Sequence, residues 1–187
     1  RFYTGESFES LKREIIDKYN TDVFIHSWIS TKKDHEYEYA PWSTIKEKIV
    51  IPETCSSDLI NLYNPKGFLI NEPVIFKKFL KKDTFLYRNM PSMFYSMMKS
   101  DDLRKEYEKI YDFKYDFVIR ARTDTIIKGE LPDLYTFNKS VIYVPDNCGN
   151  KQFLNDNFSI CGGDISENVY NLFNNMETLI EENDNPE

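Results

Sequence analysis

Arg120, Arg122 and Asp124 are the residues whose types and spacing could do chemistry. They close the stretch Tyr115-Asp-Phe-Val-Ile-Arg-Ala-Arg-Thr-Asp124. If the extended backbone of Phe117-Val118-Ile119 continues through them, all three share one face, because strand side chains alternate with period two. Two guanidiniums and a carboxylate are costly to place at the end of an apolar strand for packing alone. That carboxyl end is where open α/β sheets hold ligands. Guanidiniums grip phosphate through forked hydrogen bonds, and a carboxylate takes a hydroxyl or a divalent cation. The face therefore suits a phosphate-bearing ligand with a hydroxyl or a metal. The bland reading of the same residues is an internal salt bridge from Asp124 to one of the arginines.

Weaker candidates surround this stretch. His26 sits at the polar exit of a short apolar run, Asp22-Val-Phe-Ile-His-Ser-Trp28, where it either fills the core or lines a cleft. Ser92 and Tyr95 are the polar members of a methionine-rich helical stripe whose default role is packing. Asp156 lies in the polar loop Asn155-Asp156-Asn157, where an Asx-turn competes with a chemical role. Asp164 opens a periodic helix with Glu167 three residues on, the pattern of a capping box. Gly162-Gly163 would let a substrate approach the backbone closely. His35, Glu36 and Glu38 fit no helical zinc motif and read as loop charges. There is no GxGxxG or GxxxxGK[ST] phosphate loop and no GxSxG elbow, and His26 and His35 are the only histidines, so dehydrogenase and serine-triad chemistry rank low.

The elements that must position these residues alternate between helix and strand. Phe8, Leu11, Ile15 and Tyr19 recur at helical spacing, closed by Asn20-Thr21, and Asp22–Trp28 follows as a strand. Trp42–Ile49 and Ser56–Tyr63 read as short helices, the second broken by Asn64-Pro65. Lys66–Ile70 is a second strand and residues 73–82 a short helix. Asn89–Tyr111 reads as helix in two pieces, with Asn89 as N-cap, Pro91 in the first turn and a restart at Ser100-Asp101-Asp102. The charged stretch is the central strand. Ser140–Val144 and Phe158–Gly163 are further strands, and a helix runs on from Asp164 through Ile180. The pattern predicts one α/β domain over residues 1–187, with a mostly parallel sheet flanked by helices. The first strand of such a fold is expected ahead of Arg1.

Composition narrows the partners. The formal net charge of −7 argues against a general nucleic-acid binder. Three widely spaced cysteines, Cys55, Cys148 and Cys161, form neither a CxxC pair nor a disulfide framework, and read as cytoplasmic thiols. No apolar run approaches the roughly 20 residues of a membrane span, and no signal peptide is recognisable.

The stretch Tyr115–Asp124 resembles the YDxVIRxRxD signature of a group of glycosyltransferase-like proteins with the GT-A fold. Asp22–Trp28, Ser92-Met-Phe-Tyr-Ser96 and Asn155-Asp-Asn-Phe-Ser-Ile160 are similar to that group in the same order. Arg1-Phe2 resembles the end of the G-x-x-R-x-F turn that follows its first strand. The resemblance implies a Rossmann-like domain that moves a sugar from a nucleoside diphosphate sugar to a glycan or other hydroxyl acceptor, in glycan synthesis. The donor would lie among Arg1, Arg120, Arg122, Asp124, His26, Ser92 and Tyr95. The group's acidic D-x-D motif is replaced here by Arg122-Thr123-Asp124, so Asp124 matches the second, metal-binding acid and Mn²⁺ or Mg²⁺ is the expected cofactor. Arg122 could instead neutralise the departing pyrophosphate itself. Asp156 is the expected base for the acceptor hydroxyl, with Asp164 in reserve. Two other readings compete: a GT-A-like module that binds without catalysis, and a metal-dependent nuclease using Asp116 and Asp124. The second is weak, since eight residues of strand separate those acids by about 25 Å.

Overall fold

The computed structural model describes residues 4–30, 53–79, 85–146 and 156–178; the helix expected over Trp42–Ile49 lies outside them. Phe8, Leu11 and Ile15 are all buried and form the inner face of α1 (Glu6–Leu11) and of the wider π-type turn Lys12–Ile16 that continues it. Asn20 turns the chain in the left-handed region, φ 50°, a conformation Asn tolerates better than most residues. β1 (Phe24–Trp28) follows. α2 (Cys55–Tyr63) ends the same way, with Asn64 at φ 42°, and leads through Pro65 into β2 (Gly67–Asn71). β2 runs parallel to β1, Phe24 opposite Gly67 and Trp28 opposite Asn71.

α3 (Phe85–Tyr111) is one continuous helix, not two. Asn89 and buried Pro91 therefore lie inside it rather than at its start. At the expected restart, the Ser100 hydroxyl donates to the carbonyls of Ser96 and Met97 at 3.0 Å each, and Asp101 accepts from Arg104 at 2.8 Å. Polar side chains that would compete with the helix backbone are employed along it instead.

β3 (Phe117–Ala121) pairs antiparallel with β4 (Phe158–Gly162). On β4's other side Tyr143 exchanges both backbone hydrogen bonds with Ile160, so Ser140–Val144, expected as a strand, contributes a single bridge. The architecture is mixed α/β, with one parallel and one antiparallel pair among the described residues where a mostly parallel sheet was expected. Between β3 and β4 the described residues hold only the 3-10 turn Leu134–Thr136. A parallel return needs a crossover, usually a helix. The helix expected from Asp164 is broken into the 3-10 turn Gly163–Ile165, α4 (Ser166–Tyr170) and the 3-10 turn Leu172–Asn175. Residues 73–82 likewise supply only the turn Lys77–Phe79.

One buried polar network ties these pieces together. Arg104 of α3 donates to Asp101 at 2.8 Å, to Glu108 at 2.6 Å and to the Ser166 hydroxyl of α4 at 3.0 Å. Glu108, 1% exposed, also accepts from the Lys114 ammonium at 2.9 Å and the Tyr115 N–H at 3.0 Å. Burial alone would raise the Glu108 carboxyl. The Tyr115 N–H, Lys114 and Arg104 outweigh it and hold the group below its ordinary 4.5. A carboxylate so depressed contributes stability above pH 4.5 that is lost as pH falls below that value. Glu108→Gln is expected to lower the unfolding free energy at pH 7 by about 3 kcal/mol, the lower range for breaking a buried pair. It should also shrink the difference in stability between pH 7 and pH 3. Urea unfolding at both pH values checks both effects.

Candidate functional site

β3 delivers its charged residues to two places rather than one. The strand ends at Ala121, and the Thr125 N–H donates to the Arg122 carbonyl at 3.0 Å, closing a turn that breaks the alternation. Asp124 is thereby folded back on Arg122: its Oδ1 accepts from Nε at 2.9 Å and its Oδ2 from Nη2 at 2.6 Å. A third guanidinium nitrogen of Arg122 donates to the Asn157 side chain at 2.9 Å. These groups border a cleft closed by Ile126, Pro145 and Phe158. The internal salt bridge is thus formed, and it is bidentate.

Arg120 is still within the strand and opens on a different cleft of about 360 Å³, together with Met97, Arg104, Val118 and Tyr170. Among the described residues its guanidinium has no hydrogen bond and no ion pair. Burial pushes its guanidinium below the ordinary arginine value, against the pull of Asp156 and Tyr170, and Arg122 pushes the same way. An arginine keeps its charge regardless, so the site holds a partly desolvated cation without a counter-ion in contact.

Asp156 lies exposed at the start of β4, beside the carboxyl end of β3, and is the carboxylate that acts on Arg120. Asp164 does not join them. β4 runs antiparallel to β3, so the Gly163 N–H donates to the Asp116 carbonyl at 3.1 Å. Asp164 is therefore at the amino end of β3, about 17 Å away across a five-residue strand. The expectation that both acids approach one edge is corrected by this strand direction. The capping box is not formed either: neither short helix has a side-chain cap, and Glu167 lies 3.5 Å from Lys105. Gly162 and Gly163 have a packing role. A Cβ on them would collide with the backbone of Lys139 and of Tyr115 respectively, so they are needed for packing.

His26, Ser92 and Tyr95 come together, but away from Arg120. His26 Nε2 lies 2.9 Å from the Asn71 side-chain oxygen, and its ring meets Trp28 and Tyr95 edge-on at 4.9 and 5.6 Å. The Trp28 indole donates to the Ser92 carbonyl at 3.2 Å, and Phe173 packs on Tyr95 at 5.2 Å. This is an aromatic core between β1 and α3. Arg1 lies outside the described residues. Sequence reasoning passed over Tyr170 and Asn157 as site members. Asn157 was within a quoted motif, whereas Tyr170 carries no local signal, since its place depends on where the last helix breaks.

The donors around Asp124 do not fit a divalent metal. Both its oxygens are held by Arg122, and no group of three His, Cys, Asp or Glu side chains among the described residues could hold a cation. No helix among them is long and apolar enough to cross a membrane. The arrangement defines a class, a mixed α/β domain with a cationic strand end suited to an anionic ligand. No protein-family model, curated protein or solved structure matches the chain.

Burial also lowers the His26 pKa below 6.5, against the hydrogen bond to Asn71, which raises it; Lys99 adds to the lowering. A depressed pKa stabilises the fold above 6.5, and that contribution is lost as pH falls below this value because the unfolded chain takes the proton first. NMR titration is expected to place the His26 midpoint under 6.5. Unfolding midpoints should fall between pH 7 and 5.5, and less so in His26→Gln.

Proposed function

We propose that this domain has a GT-A-type fold, binds a nucleoside diphosphate sugar at the carboxyl end of β3, and transfers the sugar to a hydroxyl acceptor. The observation that carries the reading is Arg120, a partly buried guanidinium with no contacting counter-charge, opening on a cleft next to an exposed carboxylate. A diphosphate supplies the missing anion, and forked hydrogen bonds from one guanidinium match its oxygens. As the bond from the sugar to the diphosphate breaks, negative charge grows on the leaving oxygen, and Arg120 is positioned to stabilise it. Asp156 is the acid near enough to take the acceptor hydroxyl's proton. The four motifs named above support the same reading. No step is assigned to Mn²⁺ or Mg²⁺, because Asp124 is committed to Arg122. That commitment also favours the second reading, a module that binds the nucleotide without turnover.

Calorimetry with UDP, GDP and their sugars is the direct test. Binding is expected to at least one of them, to weaken about 10-fold or more in Arg120→Ala, as for the loss of a charge-assisted hydrogen bond, and to be unchanged by chelator. No binding to any of them would overturn the proposal. Asp156→Asn should leave donor affinity intact while lowering kcat by roughly 100-fold, the usual scale for a general base. Binding without any turnover across a panel of acceptors would favour the module instead.

A further inference from the structure

The turn after β3 builds a second cleft, of about 340 Å³, whose chemistry differs from that of the cleft beside Arg120. Arg122 and Asp124 are its charged members among the described residues. The Asp124 carboxylate takes Nε and one terminal nitrogen of the guanidinium, at 2.9 and 2.6 Å, and Asn157 takes the other terminal nitrogen at 2.9 Å. A guanidinium carries five N–H groups, so one remains on each terminal nitrogen. The charge is cancelled, but the donors are not used up. The backbone holds the arrangement in place: the Arg122 N–H donates to the Asn157 carbonyl at 3.0 Å, and the Thr125 hydroxyl donates to the same carbonyl at 3.2 Å. The two remaining N–H groups are therefore fixed before any ligand arrives, which lowers the ordering cost of binding. They are also accessible, since the Arg122 and Asp124 side chains are 50% and 36% exposed.

Beside these donors stands an apolar wall made by Ile126 and Pro145, both exposed. A few fixed polar groups against an apolar wall are the common form of a small-molecule site. Charge decides between ligands. An anion gains little here, because a carboxylate already lies against the arginine. An uncharged ligand with two neighbouring acceptor oxygens matches the two N–H groups, and a C–H face matches Ile126 and Pro145. A pyranose ring has both, vicinal hydroxyls on its rim and C–H bonds on its face. We propose that this cleft binds an uncharged sugar ring of the acceptor, with two vicinal hydroxyl oxygens on Arg122 and the C–H face on Ile126 and Pro145. Its role as acceptor site rests on the donor reading above. Asp156 links the two clefts: it acts on Arg120 in one, and its neighbour in sequence, Asn157, lines the other. A further hydroxyl of the seated ring thus meets Asp156 at the seam. Its oxygen forms the bond to the anomeric carbon of the donor sugar, and its proton passes to Asp156. The electron pair of the broken bond leaves on the diphosphate oxygen beside Arg120.

The test is NMR titration of the isotope-labelled 187-residue chain with the methyl glycosides of glucose, galactose, mannose and N-acetylglucosamine, and separately with inorganic phosphate. At least one glycoside is expected to shift the amides of Thr125, Ile126, Asn157 and Phe158, with a Kd of about 1 mM, the scale for a ligand of roughly a dozen heavy atoms. Phosphate should leave those amides in place. Ile126→Ala is expected to weaken that glycoside about 5-fold, as for lost apolar contact, with UDP and GDP binding unchanged. Asn157→Ala should weaken it about 10-fold by releasing one side of the guanidinium. Ile126 is exposed, so its variant keeps the test valid if Asn157→Ala does not fold. No shift at these amides by any glycoside would overturn the proposal, as would phosphate binding there as tightly as the sugar. Equal glycoside affinity in the parent chain and both variants would do the same. Nucleotide binding beside Arg120 without glycoside binding here sinks this inference alone. Glycoside binding here with no nucleotide bound beside Arg120 overturns the donor reading, and the acceptor role with it, and leaves the sugar site standing.

Discussion

The guanidinium of Arg104 is the group on which most of the arrangement depends. Buried charge is tolerated only when its partners are all in place, and here the partners belong to two elements: Asp101 and Glu108 on α3 and Ser166 on α4. Glu108 extends the network to the Tyr115 N–H, the last step before β3. That bond sets the phase in which the chain enters the strand. Once the phase is set, Phe117 and Ile119 pack toward α1, while Val118 and Arg120 look toward α3 and Tyr170. The position of the proposed anion-binding arginine is therefore a consequence of a salt bridge at the other end of its own strand.

The strand's far end separates two cations that the sequence presents as a pair. Arg122 lies in a turn, exposed, with both edges of its guanidinium occupied by Asp124 and Asn157. A pair of this exposure contributes little to stability, but it removes Asp124 from other duties. Arg120, two residues earlier, remains in the ladder with nothing in contact to neutralise it. Desolvation without a counter-charge leaves a group poised for an incoming anion. The strand and the turn after it thus carry one unsatisfied and one satisfied arginine, and the difference is that single turn.

Two cores lie on the two faces of β1. Phe8, Leu11 and Ile15 of the first helix meet Ile25, Leu59 and Tyr63 on one face of β1. On the other, Trp28 and Tyr95 meet the His26 ring edge-on, and Phe76 and Phe173 pack on Tyr95 in turn. A histidine so enclosed is kept neutral by desolvation, which suits a core residue better than a ligand. Its place at a polar strand exit was visible in the sequence; the contacts that decide its role come from Asn71 and Tyr95, the latter 69 positions away.

Much of the local structure was already determined by the sequence. The inner face of α1, the left-handed asparagines before β1 and β2, and the apolar runs of β1, β2, β3 and β4 all follow from periodicity and turn chemistry, which act over a few residues. The mutual position of distant segments did not follow. That β4 returns antiparallel, carrying Asp156 to Arg120 and Asp164 away from it, depends on the path between the strands. The docking of α4 on α3 depends on Arg104 finding Ser166 sixty-two residues later. Whether Asp124 pairs with arginine or is left for a ligand depends on a turn that Asn157, from another strand, helps to hold through its bonds to Arg122 and Thr125. Local pattern selects an element because backbone geometry is local. Which charges meet is decided only when packing brings remote elements within hydrogen-bond distance, and in this chain it left Arg122 paired with Asp124 and set Arg120 apart from both.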